Sequence, residues 1–206
     1  MGKVFSYDSP VWRFMGRLVD FLYLTLLWLV TSLPLVTIGA STTTVYYIAL
    51  KMADNQEEYL TQMYFKNFVR FFRESTIVWL MALAAGAVLA GDFYICVRVK
   101  SPAAAMLMSA FAVIALVYLM TVLYLFPVMA RICQSPLGYV RVSFYLAVRY
   151  FGWTVLCLVI PVCVCAVGVF GFWPLLLLCV GLSAYLQSLV FRQIFRQQGW
   201  EMPEEI

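Results

Sequence analysis

The chain has 206 residues, of which 65% are hydrophobic and 12% charged, whereas soluble domains are usually about half apolar and a quarter charged. So few polar residues cannot cover a soluble surface, and lipid is the better solvent. The net charge of +4 is spread over the flanks of apolar runs, which excludes the basic surface that nucleic-acid binding needs, and the absence of histidine excludes a His-assisted nucleophile and a His-ligated metal site.

The first residues, Met1 to Tyr7, are not followed by a small-residue cleavage site and a polar mature region, so no removable signal peptide is expected. From Phe21 to Leu50 no residue is charged. Thirty residues of helix would reach ~45 Å, beyond the ~30 Å of a hydrocarbon core. Pro34 and Gly39 punctuate this run, which predicts two antiparallel helices breaking near residues 33–40, the second unusually short.

Next, Lys66, Arg70 and Arg73 recur at helical spacing while Leu60, Tyr64, Phe68, Phe71 and Phe72 occupy another face. This pattern predicts an amphipathic helix over 57–73 lying in the inner interface, with aromatics among acyl chains and cations near anionic headgroups, or docked on a partner. Four further apolar runs follow, and Gly171-Phe172-Trp173-Pro174 predicts a tight turn before the last. The residues around Pro136 and Gly138 read as a loop. The fold class expected is therefore all-α: a single polytopic transmembrane bundle of about six spans, near 14–33, 36–52, 75–96, 103–130, 150–167 and 172–192.

Cytoplasmic loops carry the excess of Lys and Arg. With six spans and the amino terminus inside, twelve of the fourteen basic residues fall on the inner side and only Arg98 and Lys100 outside. A five-span arrangement gives at best nine against five. The bias favours six spans in a bacterial plasma membrane with both termini cytoplasmic, and it sets Lys66, Arg70, Arg73, Arg131, Arg141 and Arg149 against the membrane surface or a partner.

Few residues qualify for chemistry. Asp20 and Asp92 are ionisable groups in or near spans, hence candidates for proton or substrate coupling, although both lie near interfaces where Arg17 and Arg98 make a structural charge equally natural. Thr37, Ser41, Thr42, Thr43 and Thr44 cluster at the helix break. Such hydroxyls either cap the free amides of a helix start or, with exposed backbone at membrane depth, hold a ligand. Ala82, Gly86 and Ala90 recur every four residues and suit close helix packing, within the chain or in a homo-oligomer. Trp28, Trp79, Trp153 and Trp173 suit interfacial belts or packing, and sugar stacking is the sharper alternative. At least four of the six cysteines lie in apolar segments, where Cys behaves as a small hydrophobe. No phosphate-binding loop or nucleophile elbow is present, so neither an enzyme nor a cofactor is expected.

Two stretches resemble a known family. Arg13-Phe14, Asp20, Leu26-Leu27-Trp28-Leu29 and Ser32 through Thr43 resemble the amino-terminal signature of the YesL family, bacterial membrane proteins of unknown function, and Phe126-Pro127-Val128-Met129-Ala130-Arg131 with Ala147-Val148-Arg149 is similar to a second family stretch. Thr25 stands where the family pattern has Asn, and Ile132-Cys133 where Phe-Glu is common. The resemblance implies a multi-span protein encoded beside carbohydrate ABC importers and sensor kinases. It leads to the expectation of a noncatalytic accessory or regulatory protein contacting an importer permease or a sensor kinase within the bilayer. The alternative is a small-solute transporter or channel using the break at Pro34–Ser41, with Asp20, Thr37, Ser41, Thr42 and Asp92 as ligand or coupling groups.

Overall fold

The computed structural model describes residues 10–54, 59–98, 102–170 and 178–199. Every regular element among them is helical: α1 (Pro10–Thr31), a short 3-10 turn (Leu35–Thr37), α2 (Ile38–Ala53), α3 (Leu60–Arg98), α4 (Pro102–Arg131), α5 (Pro136–Arg149), α6 (Phe151–Phe170) and α7 (Cys179–Gln197). Among the described residues, three stretches are long and apolar enough to cross a membrane: Leu60–Arg98, Leu107–Arg131 and Phe151–Val169. The tight turn expected at Gly171–Pro174, Trp173 included, lies outside the described residues.

The break in the first apolar run falls at Ser32–Thr37, as the proline requires, and the second helix is short: 16 residues, or ~24 Å. It is also the centre of the molecule. Twelve of its residues are buried, because α1, α3, α4 and α7 all pack on it. Two glycines allow the closest approaches. A Cβ on Gly39 would sit 2.6 Å from Trp79 Cβ and 2.8 Å from the Ser75 carbonyl of α3, and one on Gly181 of α7 would sit 2.5 Å from the Phe21 carbonyl of α1.

The separate interfacial helix expected over 57–73 does not exist. It is the first part of α3, which runs unbroken for 39 residues, ~58 Å. No Pro or Gly interrupts Arg73-Glu74-Ser75-Thr76. The same stripe of buried residues, Tyr64, Asn67, Phe71, Ser75 and Val78, also crosses the expected boundary at helical spacing. Tyr64 and Phe71 thus pack into the protein core, with Phe71 edge-on to Tyr47 at 5.6 Å, instead of entering acyl chains. Lys66, Arg70 and Arg73 do stay exposed, on the opposite side of the same helix.

The loop expected around Pro136 is helix α5. Ser135 is its N-cap, with Oγ accepting from the Gly138 amide at 3.3 Å, and Pro136 occupies the first turn, where its missing amide hydrogen costs nothing. Tyr139, Ser143, Leu146 and Ala147 face the core, while Arg141 and Arg149 are exposed.

Burial is uneven along α3 and α4. Past Val78 on α3, and from Leu107 to Leu119 on α4, no described residue is buried. These halves form a hairpin that leaves the core with apolar side chains on its outer faces, among them Leu83, Val88, Val113 and Ile114. Of the stripe Ala82, Gly86 and Ala90, the first two pack inside this hairpin: Tyr118 donates its hydroxyl to the Ala82 carbonyl at 2.7 Å, and a Cβ on Gly86 would meet that hydroxyl at 2.8 Å, while Ala90 is exposed.

Candidate functional site

The hydroxyl cluster at the break is built from three helices. Pro34 ends the ladder of α1 and exposes carbonyls at its C-terminus. Thr37 turns back and donates its hydroxyl to the Thr31 carbonyl at 2.5 Å and the Pro34 carbonyl at 2.7 Å. Ser41 Oγ lies 3.0 Å from both Thr31 Oγ1 and the Thr37 carbonyl, and Thr31 Oγ1 is 2.7 Å from the hydroxyl of Tyr64 on α3. Thr42 Oγ1 accepts from Trp28 Nε1 at 3.1 Å, and Ser75 donates to Thr43 Oγ1 at 3.0 Å.

This arrangement corrects the capping expectation. Thr37 is the N-cap of α2 but makes no side-chain cap bond. Thr43 and Thr44 donate to the carbonyls of Gly39 and Ala40, one turn back, at 2.9 and 2.8 Å. The hydroxyls therefore serve carbonyls rather than amides, closing the end of α1 and tying α2 to α1 and α3. Trp79 adds a strap from α3, with Nε1 donating to the Leu35 carbonyl at 3.0 Å.

The five ligand or coupling candidates are not gathered in one place. Thr37, Ser41 and Thr42 meet at the break. Asp20 is half-buried on α1, eleven residues or ~16 Å before Thr31, and Arg17 beside it donates to the Tyr185 hydroxyl of α7 at 3.0 Å. Asp92 is half-buried on the far half of α3, ~26 Å beyond Ser75.

A second polar centre escaped the sequence reading. Asp54, just past α2, meets three arginines: Arg192 Nε at 2.6 Å and Arg196 Nη2 at 3.5 Å, both from α7, and Arg131 Nη1 from α4 at 3.7 Å. Arg131, expected at the membrane surface, is 5% exposed and lies 5.8 Å over the Phe195 ring. The correction has a physical reason. Tyr124 through Arg131 form the buried end of α4, so the guanidinium that closes this helix can only turn into the bundle, where the Asp54 carboxylate balances it. Arg192, placed at a helix flank by the hydropathy pattern, is on α7 itself, which continues to Gln197. Nearby on α2, Lys51 is buried with its ammonium 5.5 Å over the Tyr47 ring.

Exposed cations lie elsewhere. Lys66, Arg70, Arg73, Arg141 and Arg149 are exposed along the first half of α3 and on α5, with Arg149 donating to the hydroxyl of Tyr145 and lying over the Tyr145 and Tyr150 rings. Where α5 meets α3, Tyr139 donates to Glu74 Oε2 at 2.9 Å, and burial, helped by that carboxylate, pushes the phenol up to about 12.

Two more buried bonds set the helix contacts. Thr25 donates to the Phe21 carbonyl at 2.9 Å and accepts the Gly181 amide at 3.0 Å, so a side chain of α1 caps the first turn of α7. Gln187 of α7 donates to the Cys157 carbonyl of α6 at 2.7 Å and accepts the Tyr46 hydroxyl of α2. Among the described residues, no group of three or more acidic, Cys or His side chains could hold a metal ion.

Comparison with known proteins matches residues 21–93 to the family model described as protein of unknown function, DUF624. The chain is 29% identical over 129 residues to the uncharacterized protein YesL of Bacillus subtilis (strain 168), a match covering 61% of this chain and 60% of that protein. The chain thus spans less than two thirds of the length of the curated relative it matches. No solved structure matches it. The matched stretch carries the break, the buried α2, Asp54 and the first arm of the hairpin, and there the chain is similar to the DUF624 family and to YesL.

Proposed function

We propose that this protein is a noncatalytic accessory subunit of the bacterial plasma membrane that docks a partner's transmembrane helix on the α3–α4 hairpin. One observation carries the reading: from Val78 outward and back to Met120 this hairpin has no buried residue among those described. Acyl chains solvate its apolar faces, so a partner helix would be held by packing against small residues such as Gly86 and Ala115 rather than by hydrophobic burial. Between its two arms lies a groove of about 360 Å³, lined by Gly86, Leu89, Phe93, Phe111, Ala115 and Tyr118, apolar enough for a helix ridge.

The basic residues Lys66, Arg70, Arg73, Arg141 and Arg149 support an orientation with α5 and the start of α3 at the anionic inner leaflet. In that orientation α1, α2 and α7 complete six crossings, with the short α2 shielded from lipid by its neighbours, and both termini are cytoplasmic. The partner class is an importer permease or a sensor kinase of carbohydrate use, as the family resemblance implies. The transporter reading is weaker on physical grounds, because the hydroxyls at the break are spent on carbonyls and on each other.

A photoreactive residue at Leu83 or Val113, activated in native membranes, is the test. The reading expects a crosslink to one membrane protein at both positions and none from Val169. Crosslinks to lipid alone, or solute uptake by the purified chain in vesicles, would replace it with the transporter.

A further inference from the structure

We infer that Cys165 and Cys179 are a disulfide-forming pair that staples α6 to α7. Their sulfurs lie 2.9 Å apart, and closing a covalent bond of ~2.05 Å asks for a shift of about 0.9 Å, within the reach of small χ adjustments. The two positions are brought together by the packing of α6 on α7, with Cys179 the first residue of α7. The other thiols cannot substitute. Cys163 is two residues before Cys165 on the same helix, so it points about 200° away around the axis. Cys157 is two turns further back, where it is buried in the core.

Exposure assigns the order of events. Cys165 is exposed and Cys179 is 9% exposed, so an incoming disulfide RSSR reaches Cys165 first. The Cys165 thiolate attacks one sulfur of RSSR, forming a mixed disulfide and releasing RS⁻. The Cys179 thiolate then attacks Cys165 Sγ, breaking the mixed bond and releasing the second RS⁻. Two protein thiols become one disulfide, RSSR is reduced to two RSH, and the two thiol protons end on them. The oxidant is thus a disulfide able to enter the apolar end of the bundle, and this step rests on the six-span orientation proposed above, which puts that end on the outer, oxidising side of the membrane. The product locks the start of α7, which Thr25 and Gly181 already hold against α1.

The pair is tested with a variant keeping only Cys165 and Cys179 (Cys96, Cys133, Cys157 and Cys163 each replaced by Ser) and, in parallel, with the unaltered full chain in membranes. The oxidant is 4,4′-dithiodipyridine, an apolar disulfide, and the products are read by mass spectrometry of non-reduced digests. The expected product is a peptide joining the two cysteines, two hydrogen masses below the sum of its halves, with release of two thiopyridones per chain. In Cys179→Ser the adduct at Cys165 persists. Persistent separate adducts on both cysteines of the unaltered chain, a Cys163–Cys165 linkage, or no reaction at Cys165 would overturn the assignment. The result is independent of what docks on the hairpin, since no hairpin residue takes part.

Discussion

Arg192 Nε lies 2.6 Å from Asp54 Oδ1, joining the ends of α2 and α7. The same carboxylate faces Arg196 at 3.5 Å and Arg131 at 3.7 Å, so one acidic group holds three helix ends together. Removing it leaves a buried guanidinium without its counter-charge, and breaking a fully buried pair costs about 3–5 kcal/mol. Arg192 is partly exposed and can rehydrate. The expected loss for Asp54→Ala is therefore about 2–3 kcal/mol. Arg196→Ala, whose side chain is 64% exposed, is expected to cost well under ~1 kcal/mol. Reversible unfolding in mixed micelles gives both values, and equal losses would remove Asp54 from its central role.

The contact between α1 and α7 is equally specific. Thr25→Val keeps the shape but leaves the buried Gly181 amide without its acceptor, an expected loss of about 1–2 kcal/mol. Gly181→Ala drives a Cβ to 2.5 Å from the Phe21 carbonyl, where the obstacle is backbone and cannot rotate away, so about 1–3 kcal/mol is expected. Gly16→Ala on the exposed side of α1 meets nothing within 4 Å and is the matched control, expected neutral or slightly stabilising. Thermal unfolding of the three variants ranks them, and Gly16→Ala as the worst would refute the packing.

The contrast between those sites shows what the sequence could tell. Hydropathy and Pro34 locate the break and the apolar helices because these signals are local. The Ser135-Pro136 start of α5 is also legible as an N-cap with proline at the first helical position, although Pro136 and Gly138 together read as a loop. The joining of 57–73 to the next span could be read from the stripe Tyr64, Asn67, Phe71, Ser75 and Val78, which ignores the drop in charge at Arg73. Nothing local announces Asp54 or Thr25. Their partners stand far along the chain, Arg196 142 positions and Gly181 156 positions away. A charge-counting rule reads Arg131 and Arg192 only as flanks. The hydroxyl cluster was found by composition but misassigned in role, because donation one turn back and capping draw on the same residue types.

Tyr139 makes a pH prediction. Its phenol is pushed up to about 12 in the folded protein, against ~10 in the unfolded chain. The unfolded form therefore loses its proton first as the pH rises, and stability should fall between about pH 10 and 12 while remaining level below. Tyr139→Phe abolishes this share of the alkaline decline, and it costs about 1 kcal/mol at neutral pH through loss of the bond to Glu74, which is exposed and can turn to water. The check is the difference in unfolding midpoint between the two proteins at pH 8 and at pH 11. A constant difference would mean that Tyr139 is not the titrating group.

Thr42 separates a structural from a transporting role for the break. Its hydroxyl accepts from Trp28 Nε1 at 3.1 Å, so Thr42→Val leaves a half-buried indole N–H without its partner, and about 1 kcal/mol of stability is expected to go. Trp28 emission should shift as its polar neighbour is lost, and Thr42→Ser, which keeps the acceptor, should restore it. If the break coordinates a passing solute, Thr42→Val reduces flux in reconstituted vesicles far more than it reduces stability, and Thr42→Ser rescues both together. If the hydroxyls only fasten α2 to α1, no flux above that of empty vesicles accompanies any of the three proteins, and the variant differs solely in its unfolding midpoint. The second outcome is expected, because every hydroxyl from Thr37 to Thr44 already has a partner at 3.1 Å or closer.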